Sequence, residues 1–302
     1  MNRISREFEL FLSYKEKLSH SFEIDDYGFA VGGKGKIDLL LTALVHGDEV
    51  GGIQIVNEVL RELQDSKKDL GITVGFLLCN VKAALSSKRF LEKDLNRSFL
   101  VDKIELREEE RASEISKIVG NSKFILDFHQ TVEPTEKPFF IFERNDKLID
   151  LANVLLPEIP IVTFATEGFS GEGKTMLEYA STVDCDAIAI ECGQAGFCEV
   201  LSKKISALTF KLIDNLKEEN LVVSAKGPIE HFHIDSTIEN TGGDYLIPGL
   251  INHMKVNRGQ LIGHRKNGSE IVSNLDGRLY FPRYGELAES SPVLCDLAKS
   301  VK

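Results

Sequence analysis

Leu39 to Gly52, LLLTALVHGDEVGG, runs from an evenly apolar segment into a histidine followed three residues later by a glutamate. Leu39 to Val45 is too short and too evenly apolar for an amphipathic helix, and Gly-rich sequence borders it, so a buried strand is predicted. From Glu49 onward, Ile53, Val56, Val59, Leu60 and Leu63 recur at helical spacing, which puts the switch from strand to helix at His46-Gly47-Asp48-Glu49. Open α/β sheets hold their ligands beyond the carboxyl ends of the strands. His46 and Glu49 therefore fall at the rim of a predicted site.

Imidazole nitrogen and carboxylate oxygen are ordinary zinc ligands, and a catalytic zinc takes three protein ligands while keeping one position open. Two other apolar segments end in suitable residues. Ile125-Leu126-Asp127-Phe128-His129 ends in histidine, and Ala187-Ile188-Ala189-Ile190-Glu191 ends in a carboxylate. Three strand ends thus carry His46 with Glu49, His129, and Glu191. Two histidines and one carboxylate make a ligand set, with a second carboxylate left to act as base. HxxE by itself also arises by chance, and a histidine at a strand end often does no more than cap a sheet.

A fourth segment, Asp94-Leu95-Asn96-Arg97-Ser98-Phe99, preceded by Arg89, completes a series: HGDE, DLNRSF, DFH and ECG, in that order. In order and spacing the series resembles the succinylglutamate desuccinylase/aspartoacylase family, a branch of the zinc carboxypeptidase superfamily, and the resemblance spans most of Ile37 to about Leu221.

The resemblance implies a zinc-dependent hydrolase with one Zn2+ per chain, held by His46, Glu49 and His129. Such a zinc lowers the pKa of its water to about 7 and polarises a carbonyl. Glu191 is then expected to take the water's proton and return it to the leaving amine. Asp127, on the same strand face as His129, is expected to accept from that imidazole and fix its tautomer. Arg89 is implied to stabilise the oxyanion, and Asn96 with Arg97 to bind a substrate carboxylate. The expected substrate is a small carboxylate-bearing molecule, an N-acyl amino acid in the first place, with a metallocarboxypeptidase acting on short peptides as the alternative.

The match departs from the family at one position. Aspartoacylase-like members have an arginine about ten residues before the catalytic glutamate, where it holds the side-chain carboxylate of the acyl aspartate. Here that position is Ser181. Lys174 is a candidate to compensate, and Tyr284 is the nearest candidate for the tyrosine that reaches the site from the C-terminal domain in relatives. A different chemistry is offered by GFSGEGKT, residues 168–175, a full match to the phosphate-cradling loop GxxxxGK[ST]. It sits late in its domain, the helix after it is short, and Asp127 and Glu191 already have parts in the other set, so a nucleotide hydrolase ranks below the zinc enzyme.

The rest of the chain supports one large core. It has 302 residues, 42% of them hydrophobic, and no run of eighteen apolar residues, so no membrane span is expected. Five cysteines, an odd number without CxxC spacing, point to reduced thiols in a cytoplasmic protein. A net charge of −11 without a basic stripe argues against nucleic acid; a homo-oligomer is compatible with the sequence.

Helices are expected at Arg6–Leu18, 50–63, 106–119, 146–155 and 199–216, with strands at 72–79, 124–129, 139–142, 161–164 and 187–191. Phe22–Val31 and Lys36–Val45 read as a hairpin across Gly32–Gly35. The run Arg107-Glu108-Glu109-Glu110-Arg111 reads as a solvated helix face. Interleaved strands and helices predict a three-layer α/β/α sandwich with a mixed sheet. From Leu221 onward Lys/Arg and Asp/Glu balance and the texture changes to short segments broken by Gly, Asn and Pro. The expected division is therefore a catalytic domain, 1–220, and a small all-β domain, 221–302.

Overall fold

The computed structural model describes residues 2–18, 20–33, 35–66, 69–165, 174–217 and 230–301. The first part of the chain forms α1 (Arg3–Lys17), β1 (His20–Asp25), β2 (Gly28–Val31), β3 (Ile37–Ala43), α2 (Gly51–Ser66), β4 (Val74–Leu78), α3 (Val81–Leu85) and α4 (Arg107–Gly120). It continues through β5 (Ser122–Thr131), β6 (Phe139–Glu143), α5 (Asp146–Leu155), β7 (Ile161–Phe164), α6 (Met176–Thr182), β8 (Asp186–Gln194) and α7 (Glu199–Lys217). The last part contributes β9 (His231–Glu239), β10 (Tyr245–Leu246), β11 (Met254–Val256), β12 (Leu261–His264), β13 (Glu270–Val272), β14 (Gly277–Tyr280), α8 (Gly285–Glu289) and β15 (Val293–Ser300).

Among the described residues, twelve strands form one mixed sheet in the order β1-β2-β4-β3-β5-β8-β6-β7-β9-β15-β14-β11. Its centre, β4-β3-β5-β8, is parallel. Alternation along these strands sends side chains to two helical layers. Leu39, Leu41 and Ala43 of β3 and Phe124, Leu126 and Phe128 of β5 pack toward α1, α2, α5 and α7. Leu40 and Ile125 point the other way, onto Ala112, Ile115 and Val119 of α4 and Met176 and Ala180 of α6. Each such leucine or phenylalanine contributes roughly 1.5–3 kcal/mol when fully buried. The fold is thus the expected α/β/α sandwich with a mixed sheet, followed by a C-terminal antiparallel β region.

Two expectations need correction. The first hairpin joins β1 to β2, not β2 to β3: Asp25 Oδ1 accepts from Tyr27 N at 2.8 Å to close the turn, and β2 pairs with β4. The apolar run of β3 needs strands on both sides to bury it, and its neighbours are β4 and β5. The run Arg107–Arg111 is also not a solvated face. Glu108 and Glu109 are buried, and their carboxylates satisfy backbone N–H groups of the preceding loop.

The expected boundary at 220/221 lies outside the described residues. On its far side the large sheet runs on, with β9 pairing parallel to β7. β10, β12 and β13 form a second, antiparallel sheet, and both sheets share an apolar cluster that includes Leu246, Ile262, Leu279 and Leu297. His231 Nε2 and His233 Nδ1 both lie within 3.0 Å of Thr163 Oγ1, which ties β9 to β7. Among the described residues no helix is long and apolar enough to cross a membrane.

Candidate functional site

The carboxyl ends of β3, β5 and β8 converge on one cavity of about 620 Å³. The chain leaves β3 through Leu44 at φ 61°, a left-handed conformation that costs about 1–3 kcal/mol in a non-glycine residue. Asn80 N–H holds it by donating to Leu44 O at 2.8 Å. Gly47 follows His46 because nothing larger fits: a Cβ there would lie 2.4 Å from Ala84 N and 2.5 Å from Lys88 O. That contact, with Gly47 N donating to Arg89 O at 2.9 Å, brings the Arg89 segment against His46.

His46, Glu49 and His129 are buried and offer one donor atom each within 4.8 Å of one another. His46 Nδ1 is 2.7 Å from Glu49 Oε1, and His129 Nδ1 is 2.9 Å from Glu49 Oε2. On the outer side of each ring stands another carboxylate. His129 Nε2 is 2.7 Å from Asp127 Oδ2, and His46 Nε2 is 3.2 Å from Asp94 Oδ1. Thr42 Oγ1 donates to the other Asp127 oxygen at 2.7 Å. The Asp127 carboxylate beside His129 Nε2 would keep a proton there and turn Nδ1 toward a metal, whereas His46 Nε2 lies between Asp94 and the Arg89 guanidinium, 2.9 Å from Nη2, so Asp94 alone does not set its tautomer. Gln130 N–H donates to Glu49 Oε2 at 2.9 Å and fixes the third group. Asp94 was within view in DLNRSF, but its partner lies 48 residues away, so spacing could not assign it.

Three carboxylates and two imidazoles crowd together in this buried cluster. Burial disfavours the ionised form of Glu49, yet the two imidazoles overcome it and hold the carboxyl well below its usual range. Burial likewise opposes protonation of His129, but the carboxylates of Asp127 and Glu49 raise it well above the ordinary imidazole value. Glu191 behaves differently. It pairs in register with His129 on the neighbouring strand, burial pushes its carboxyl up to about 7, and its Oε2 is buried without a hydrogen-bond partner. Two nitrogens and a carboxylate facing an unpartnered carboxylate oxygen fit a metal ion together with something held between it and Glu191.

Arg89 Nη2 is 2.9 Å from His46 Nε2, and its Nη1 donates to Glu49 Oε1 at 3.1 Å. Asn96 and Arg97 line the same cavity from a single 3-10 turn, Leu95–Arg97. That turn is set by Asp94, which accepts from Asn96 N, and the loop before it by buried Glu108, which accepts from Leu91 N at 2.7 Å. The structure therefore brings together His46, Glu49, His129, Asp127, Glu191, Arg89, Asn96 and Arg97.

It does not bring Lys174 or Tyr284 to the cavity. Lys174 Nζ lies 3.4 Å from Glu178, and its backbone pairs with Phe99. The Tyr284 hydroxyl accepts from Leu250 N at 3.0 Å and is packed into the C-terminal apolar cluster; its neighbours Pro282 and Arg283 line the cavity instead. Most of the phosphate-loop match, residues 168–173, lies outside the described residues. Within it Thr175 serves as N-cap of the seven-residue α6, accepting from Glu178 N at 3.0 Å.

The profile of the succinylglutamate desuccinylase/aspartoacylase catalytic domain matches residues 36–219. The chain belongs to this family. The family's names are those of hydrolases acting on amide bonds. As a family member the chain is similar to a succinylglutamate desuccinylase from Serratia proteamaculans, 24% identical over 168 residues, which cover 52% of this chain and 45% of that protein. It is also similar to a probable aspartoacylase from Prochlorococcus marinus, 24% identical over 284 residues, 88% and 90% of the two chains. The crystal structure of a Chromobacterium violaceum succinylglutamate desuccinylase shares the fold at TM-score 0.70 and 15% identity, covering 98% of both chains.

Proposed function

We propose that this family member is a zinc-dependent hydrolase of N-acyl amino acids. The observation that carries the reading is the unpartnered buried oxygen of Glu191 set opposite a His-Glu-His group. His46, Glu49 and His129 would hold the zinc, which when bound supplies a Lewis acid for a carbonyl and acidifies a coordinated water. Glu191, with its carboxyl raised to about 7 by burial, is poised to take a proton near neutrality and hand it to the departing amine. Arg89 directs a guanidinium to the same point and would stabilise negative charge on the carbonyl oxygen. Asn96 and Arg97 would grip the substrate carboxylate.

A small acyl amino acid is placed ahead of a short peptide because the C-terminal region, through Pro282, Arg283 and Pro292, walls one side of the cavity. The test is a screen of N-acetyl, N-succinyl and N-formyl amino acids beside dipeptides, with and without chelator. Chelator-sensitive amine release from acyl amino acids is expected. A preference for dipeptides would replace the reading with a carboxypeptidase, and chelator-insensitive turnover would reject zinc.

A further inference from the structure

No hydrogen bond holds Oε2 of the Glu191 carboxylate, so its aim depends on the backbone that carries it. That backbone is irregular directly beyond it. Between the pairs His129–Glu191 and Thr131–Gln194, β5 advances two residues and β8 three. One extra residue therefore sits in β8 just past the proposed base. Such a bulge re-aims the side chains beside it, and it leaves backbone groups unpaired that another group must satisfy.

The residue of β5 that stands opposite the bulge is Gln130, which is only 4% exposed. Its side-chain amide offers two donors and two acceptor sites, and all of them go to backbone. Nε2 donates to Gln194 O at 2.9 Å and to Gly196 O at 3.0 Å. Oε1 accepts from Gly51 N at 2.6 Å and from Gly196 N at 3.2 Å. The first two carbonyls belong to the segment that leaves Glu191. Gly51 opens α2, two residues past Glu49, and the Gln130 N–H itself donates to Glu49 Oε2 at 2.9 Å. Gly51 is shaped to this contact, since a Cβ there would lie 2.3 Å from Gln130 Nε2 and 2.7 Å from Oε1. One buried carboxamide thus clamps the segment after a proposed metal ligand to the segment after the proposed base.

Resting on the hydrolase reading above, we propose that Gln130 is a positioning residue for the reaction, whose carboxamide fixes the bulge of β8 against the start of α2 and so holds Glu191 in its place opposite Glu49. Asn96 and Arg97 stand on a separate turn, so the chemical step and substrate binding should respond differently to its loss. Gln130→Met fills a similar volume without the amide. Gln130→Glu keeps the shape but turns a second oxygen toward the carbonyls of Gln194 and Gly196. In the zinc-loaded full-length protein, with N-acetyl amino acids as substrates, both variants should hold one zinc per chain and keep KM within about threefold. Both should lose roughly 10–100-fold in kcat, the effect of a misplacement on the order of 1 Å. In a Glu191→Gln background, Gln130→Met should cost less than about twofold, because the base it aims is gone; general loosening would cost the same in both backgrounds.

Hydrogen exchange of the Gly51 and Gly196 amides, followed by NMR, reads the clamp without turnover. In Gln130→Met each should exchange roughly two- to tenfold faster, the equivalent of one hydrogen bond. Gly51→Ala attacks the clamp from the other side and should give the same kcat loss with faster Gly196 exchange, so it carries the test if Gln130→Met does not fold. Faster exchange in Gln130→Met, with no chelator-sensitive turnover of acyl amino acids by the wild type, would support the clamp while rejecting the hydrolase reading. Wild-type exchange at both amides, unchanged kcat, loss of the zinc itself, or an equal loss in the Glu191→Gln background would overturn the inference.

Discussion

Asp127→Asn separates the charge of the outer carboxylate from its shape. The wild-type side chain is fully buried, with one oxygen 2.7 Å from His129 Nε2 and the other 2.7 Å from Thr42 Oγ1. Asparagine fills the same volume and keeps an oxygen for the Nε2 proton, and its NH2 can donate to the Thr42 hydroxyl. What it removes is the negative charge that makes the imidazole a stronger donor of its Nδ1 lone pair. Loss of such an outer partner typically costs 10–100-fold in metal affinity, or about 1.4–2.8 kcal/mol.

Asp127→Ala should be worse in a different way. It strands the Thr42 hydroxyl and the His129 N–H in a buried place, roughly 1–3 kcal/mol each, so the fold as well as the metal suffers. Zinc competition against a chromophoric chelator, run beside thermal unfolding of the zinc-free protein, distinguishes the two. Expected are weaker zinc binding at near wild-type stability for Asp127→Asn, and losses in both for Asp127→Ala. Zinc binding by Asp127→Asn within about twofold of wild type would show that its charge does not tune His129.

Glu191→Gln should keep one zinc per chain and lose roughly 10²–10⁴-fold in hydrolysis; loss of the metal itself would make Glu191 a ligand. His129→Ala, by contrast, should hold well under one zinc per chain by elemental analysis, and metal content equal to wild type would sink the ligand set. In the zinc-free protein the His129 proton is held by Asp127 and Glu49, so zinc has to displace it: affinity should fall as pH is lowered and rise as pH climbs toward the raised pKa. Calorimetry in buffers of different ionisation enthalpy should register that proton, and its absence would refute the coupling. Gly47→Ala should displace the backbone carrying Arg89, since its Cβ would meet backbone atoms, costing about 1–3 kcal/mol of stability together with activity; wild-type melting and turnover would contradict the close approach.

The elements that came through in the sequence are those whose pattern is local. Apolar runs gave the central strands and helical spacing gave α2, α5 and α7, because period alone decides which face a side chain takes. The candidate site was legible for a related reason: His46, His129 and Glu191 stand near the carboxyl ends of readable strands, and parallel packing brings such ends to one rim. α3 was missed inside a segment without periodicity, where five residues are too few to show one. Glu108 looked like surface charge in a run of acids. Nothing nearby in the sequence says that Leu91, Glu92 and Lys93 need their N–H groups satisfied from 15 to 17 residues away.

Substrate choice was the least legible property, and the reason is physical. A ligand motif concentrates its information in a few residues whose chemistry is unmistakable, whereas a hollow is a property of what is absent. Ala187 and Ala189 read in the sequence as ordinary strand residues. Only when β6 lays Ile141 beside Ala189, and α6 and the C-terminal segment bring Leu177 and Phe281 against it, do two missing side chains become a volume. Ser181 gave the single advance sign, as a cation that the family pattern leads one to expect and the chain lacks. In the structure Met176 N–H donates to Asn96 Oδ1, which ties Asn96 to the same short helix that carries Ser181. One end of α6 thus holds Asn96, the residue proposed to bind a substrate carboxylate, and the other carries Ser181 at the cavity wall.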